Sequence, residues 1–147
     1  MKKVLYILSL LAFVTACGEK SDPETPSDPL CDKDWHSTSL VVEDADIYLD
    51  FSYDGSFVMY QKIGEGAYRS YAGTWNLDGN NVLSGKYSDG EDWAASYAIT
   101  YDEKTLTMTS QNDAAEKSTF AACNIPDDVR EKCEQVMKSD GWAEGLL

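Results

Sequence analysis

Basic residues are scarce in this chain. It carries 12 Lys and Arg against 26 Asp and Glu, a formal net charge of −14. So acidic a composition argues against nucleic acid and anionic headgroups as partners, because both require cationic patches. Histidine is scarcer still, with His36 alone. A histidine-based triad or multi-histidine metal site would have to form around it, and no nearby serine or cysteine completes a recognisable motif. The four cysteines lack the closely spaced pairs of a thiolate metal site. Paired carboxylates would be the remaining catalytic device. However, Asp50, Asp54, Asp78, Asp89, Glu91, Asp92 and Asp102 all fall in turns or on polar strand faces. Ser88-Asp89-Gly90-Glu91-Asp92 is a poor fit to a calcium loop. No enzyme, no catalytic residue, no cofactor and no metal are expected.

A long hydrophobic run is also missing. Val4 to Val14 is apolar apart from Ser9. As a helix it would be about 17 Å long, well short of a bilayer core of about 30 Å. Preceded by Lys2 and Lys3, it has the form of a signal-peptide core. The segment Val14-Thr15-Ala16-Cys17 resembles the bacterial lipobox, in which small residues precede the cut and the cysteine thiol accepts diacylglycerol. The alternative is an ordinary secretory signal with a chance cysteine. The lipobox resemblance implies cleavage before Cys17, acylation of Cys17 and lipid anchoring at the outer membrane. Removing residues 1–16 removes two lysines and no acid, so the mature charge becomes about −16. Residues 18–30 hold Pro23, Pro26 and Pro29 among acids, with no apolar residue before Leu30. They read as a tether; their acidic start resembles the surface-export signal of Bacteroidota lipoproteins and equally suits a plain soluble linker, so both the periplasmic and the cell-surface face of the outer membrane stay open. The expected divisions are signal peptide 1–16, lipidated cysteine and tether 17–30, folded domain 31–123, and helix with tail 124–147.

The folded part alternates with period two. Ile47, Leu49, Phe51 and Tyr53 share one face, and Asp54-Gly55 turns the chain toward Phe57, Met59 and Ile63. Tyr71, Gly73, Trp75 and Leu77 share the next face, closed by Asp78-Gly79-Asn80-Asn81. Val82 to Tyr87 is a further strand. Trp93, Ala95, Tyr97, Ile99 and Tyr101 alternate, then Leu106 and Met108, then a last strand near Glu116 to Ala122. Trp35 to Val42 precedes them all. Eight short strands with tight connections and no crossover helix predict sequential antiparallel pairing. Closure into an up-and-down barrel buries the common face and removes both edges, with a two-sheet sandwich as the rival. Pro126, followed by Asp127 and Asp128, predicts a helix. Val129, Cys133, Val136 and Met137 would line its packed face, with Gly141 as its stop.

Trp35, Asp54-Gly55-Ser56-Phe57 and Gly73-Thr74-Trp75-Asn76-Leu77-Asp78-Gly79-Asn80 together resemble the lipocalin-like domain lipoproteins of Bacteroidota over residues 31–123. The resemblance implies an all-β fold, an eight-stranded antiparallel lipocalin-like barrel, with the C-terminal helix added to it. It carries no catalytic residue across.

Such a barrel is either filled by its side chains or holds one small ligand. Phe51, Phe57, Tyr71, Trp75, Tyr97 and Met108 are the candidate lining of a pocket for a small apolar ligand, and equally a candidate core. An envelope protein is the alternative partner. Gly66-Ala67-Tyr68 followed by Trp75 resembles the c-type lysozyme inhibitor lipoproteins, though the serine before the glycine and the later lysine-glycine of that family are missing. With Cys17 acylated, Cys31, Cys123 and Cys133 remain for an oxidising compartment. The first and last strands of a closed barrel are neighbours, which brings Cys31 and Cys123 to one rim and within disulfide reach. Cys31–Cys133 is the main rival pairing.

Overall fold

The computed structural model describes residues 28–140 and 145–147. The expected signal peptide, Cys17, most of the tether and Gly141 lie outside the described residues. Eight strands form as the alternation predicts: β1 (Asp34–Ser39), β2 (Ala45–Phe51), β3 (Ser56–Ile63), β4 (Arg69–Leu77), β5 (Val82–Tyr87), β6 (Tyr97–Tyr101), β7 (Thr105–Ser110) and β8 (Lys117–Cys123). Each pairs antiparallel with its neighbour in sequence, and β1 pairs with β8 to close the barrel. Closure leaves no strand of the eight without two partners, so the sandwich is excluded.

The inward face holds the core. Trp35, Leu49, Phe51, Phe57, Met59, Tyr71, Leu83, Leu106, Met108 and Phe120 are all buried in one cluster. Full burial of each such side chain contributes roughly 1.5–3 kcal/mol. The rings meet edge to face: Phe51 on Trp75 at 5.6 Å, and Phe57 on Trp93 at 5.0 Å.

The two ends of the barrel differ. At one end the turns 52–55, 78–81 and 102–104 are short, and a four-residue helix, α1 (Pro29–Asp32), lies across the opening. Leu30 of α1 is fully buried, and the Trp35 indole donates to the Leu30 carbonyl at 3.0 Å. This is the closed end. The opposite end carries the longer loops 40–44, 64–68, 88–96 and 111–116.

Two expectations are corrected here. The alternation at Trp93 and Ala95 predicts strand, yet β6 begins only at Tyr97. Trp93 sits in the preceding loop and lays its indole directly on Gly85, where a Cβ would stand 2.4 Å from the ring. The predicted C-terminal helix is present but short: α2 spans Asp127–Lys132, with Pro126 at its cap. The chain then extends as β9 (Glu134–Gln135), parallel to Arg69 and Ser70 of β4. The reason lies in the sheet. Pairing of β5 with β4 stops at Gly73↔Tyr87, which leaves the start of β4 without a β5 partner on that side. Backbone groups there require partners, and β9 supplies them. Val136 therefore packs on the barrel core rather than on a helix face, and Met137 is exposed. Val129 covers a smaller outer cluster of Tyr48, Tyr60 and Ile125. Arg130 fastens α2 to the wall, bonding Asp34 at 2.9 Å and Asp50 at 3.0 Å.

Candidate functional site

A cavity of about 350 Å³ opens at the end with the longer loops. Leu40, Val41 and Val42 of the β1–β2 loop form one side, and Ala94 and Ala95 of the β5–β6 loop another. Ile47, Tyr97, Met108 and Phe120 make its floor, and Gly145, Leu146 and Leu147 complete the wall. The polar members are Asn112, Glu116 and Ser118, besides the Tyr97 hydroxyl. The volume falls within the range of small-molecule sites, roughly 300–1,000 Å³.

The cavity exists because the sheet is weakest at this point. β5 and β6 share only Val82↔Ala98 and Leu83↔Tyr97. Beyond those pairs the strands part, and residues 145–147 fill the seam. The Leu147 carbonyl accepts from Ala94 N–H at 2.9 Å and from the Tyr87 hydroxyl at 2.9 Å. Leu146 N–H donates to Gln61 Oε1 at 3.0 Å. The Leu147 side chain is buried in the core cluster.

Of the six residues expected to line a pocket, the structure brings Tyr97 and Met108 to the cavity. Phe51, Phe57 and Tyr71 are buried in the close-packed core, and none of them lines the cavity. Trp75 lies toward the closed end, its indole donating to the Ser52 carbonyl at 3.2 Å. The remaining lining residues carried a weak signal in sequence. Leu40-Val41-Val42 is an apolar run ahead of Glu43-Asp44, and Leu146-Leu147 is an apolar pair after Gly145. Apolar residues in connecting segments without a strand partner are the trace such a rim leaves.

Burial raises the Tyr97 hydroxyl pKa to about 12, and the nearby Glu116 carboxylate adds to this. The phenol therefore stays a donor at any physiological pH. The Trp93 indole N–H is buried without a hydrogen-bond partner among the described residues.

His36 is on the outer wall. It stacks on Tyr48 at 4.2 Å, and its Nε2 is 2.7 Å from Asp46. Asp46 also accepts from the Tyr68 hydroxyl and lies 3.9 Å from Lys62. None of these residues lines the cavity. Among the described residues no group of three His, Cys, Asp or Glu is arranged to hold a metal.

The expected Cys31–Cys123 disulfide is absent; both thiols are free, as is Cys133. Register explains the separation. Ala122 of β8 faces the core, so Cys123 faces outward, beneath α2. Cys31 packs instead against the core at the closed end. The two residues reach the same rim but stand on opposite sides of the wall. Burial, with neighbouring acids, raises both pKa values to about 11.

The lipocalin-like domain family matches residues 23–125, and the chain belongs to that family. No curated protein matches it significantly.

Proposed function

We propose that this protein is an envelope lipoprotein that holds one small apolar ligand at the open end of its barrel. It acts as a binding protein and not as an enzyme. The observation that carries this reading is the cavity of about 350 Å³, walled mainly by aliphatic and aromatic side chains at the end opposite α1. Membership of the lipocalin-like family supports it. The anchor reading rests on Val14-Thr15-Ala16-Cys17. A lipid on Cys17 would join the barrel near Asp28, where the chain enters the closed end.

A protein partner at the rim is the second reading. It is favoured by the exposure of Val41 (52 %) and Val42 (40 %) beside the mouth.

Native mass spectrometry of protein extracted from its own envelope tests the proposal. The expected spectrum shows a chain beginning at acylated Cys17, with a further small adduct that collisional activation releases. A chain that begins elsewhere without acyl mass defeats the anchor. A ligand-free chain in complex with a second protein would favour the rim partner.

A further inference from the structure

The polar groups at the cavity define what a ligand must carry. Among the described residues its one charged lining residue is an acid, Glu116, with no Lys or Arg. The cations of this end are committed elsewhere. Lys86 pairs with Asp92 at 2.5 Å. Lys138 donates to the Asp92 carbonyl at 2.7 Å and lies over the Tyr87 ring. Arg69 and Lys132 line a separate cleft with Glu134. Lys117 alternates with Ser118 and Phe120 along β8, so it faces away from the cavity. A ligand carboxylate entering here would stand beside the exposed Glu116 carboxylate with no countercharge among the described lining residues, and like charges repel.

A hydrogen-bond donor, by contrast, is on offer at the lining. The Tyr97 hydroxyl lines the cavity and makes no hydrogen bond among the described residues. The Trp93 ring stands 6.3 Å from the Tyr97 ring, and its N–H is buried and unpartnered. The Asn112 amide is already engaged with the Ala94 carbonyl at 3.2 Å. Trp93 does not line the cavity, so the donor within a ligand's reach is the half-buried Tyr97 hydroxyl.

We propose that the cavity takes an uncharged amphiphile whose head accepts a hydrogen bond from Tyr97, and that it discriminates against the carboxylate of the same chain length. The inference rests on the ligand-binding reading above. At about 30 Å³ per non-hydrogen atom, the cavity suits a molecule of about a dozen such atoms. Decanol and decanoate are therefore matched probes, alike in chain and different in head.

The test is photo-crosslinking of the full-length protein in envelope vesicles near neutral pH. Diazirine-bearing decanol and decanoic acid are compared, and the labelled peptides are mapped. The alcohol is expected to label segments 94–97, 116–120 and 145–147 about fivefold more than the acid, the scale of a like-charge contact close to water. Glu116→Gln is expected to raise labelling by the acid and leave that by the alcohol unchanged. Tyr97→Phe is expected to lower labelling by the alcohol. Equal labelling of these segments by both probes overturns the head-group inference and leaves the ligand-binding reading standing. A preference unchanged in Glu116→Gln overturns its electrostatic basis. No labelling of these segments by either probe overturns the ligand-binding reading itself.

Discussion

The closed and open ends of this barrel are made from the same eight strands and both use aspartate-pinned turns, yet they differ in loop length and in the segment that covers them. At the closed end each turn is pinned by an aspartate whose side chain accepts backbone N–H groups. Asp78 takes Asn80 and Val82 at 2.8 and 2.9 Å, and Asp102 takes Lys104 and Thr105, both at 2.8 Å. Asp54 takes Ser56 at 2.9 Å. Gly55 and Asn81 adopt the positive φ these turns need, at 83° and 58°. α1 then covers the opening with Leu30. At the open end the loops are longer, β5 and β6 separate after two pairs, and a segment remote in sequence fills the gap. Scaffold and site thus occupy opposite ends of one sheet.

Truncation on each side sharpens this contrast. Trp35→Ala removes a fully buried indole and its bond to Leu30, so α1 loses its seat. It is expected to cost about 3–5 kcal/mol in denaturant unfolding, the range for large aromatic deletions. Leu147→Ala is expected to cost less, about 2 kcal/mol, because Leu147 already borders empty volume and its neighbours can relax. It should also change dye binding at the mouth, whereas Trp35→Ala, where it still folds, should not. Equal costs, or a binding change from the closed end alone, would break the comparison.

The strands were legible because one face of each is apolar and every reversal is marked by Asp, Gly or Asn. Phe57, Tyr71 and Trp75 announced their shared face without any tertiary knowledge. The end of the helix was not legible. Val129, Cys133, Val136 and Met137 have helical spacing, but the edge of β4 at Arg69 and Ser70 draws the chain out of the helix at Cys133. That edge exists only once the barrel has closed. The cavity was hidden for a related reason. Aromatic residues marked the core, where packing leaves no room, while the space lies among the aliphatic residues of loops and of segment 145–147. Trp93 misled in the same way: its alternation signalled a strand, and its function is to fill the hollow above Gly85.

The smallest expected effect concerns acid. Hydrogen bonds from Ser56 hold the Asp54 carboxyl below its usual range, those from Val82 and Asn80 do so for Asp78, and those from Lys104 and Thr105 for Asp102. A carboxyl whose folded pKa is depressed contributes stability above its unfolded value, about 3.9, and loses it as pH falls through the folded value. The closed end should therefore weaken below about pH 4. Asp89 is lowered as well, through Ser139 and Glu91. For Asp46, burial acts upward but is outweighed by the bonds from Tyr68 and His36, so its pKa is also lowered. Their share remains when the three turn residues are changed. Asn keeps a side-chain oxygen that accepts the same N–H groups and does not titrate. The combined Asp54→Asn, Asp78→Asn and Asp102→Asn protein is thus expected to be less stable than the parent at pH 6 and to lose less on going to pH 3. Urea unfolding at both pH values measures the two losses. If they are identical, these turns do not carry the acid sensitivity, and the closed end is held by the packing of Leu30 and Trp35 rather than by its aspartates.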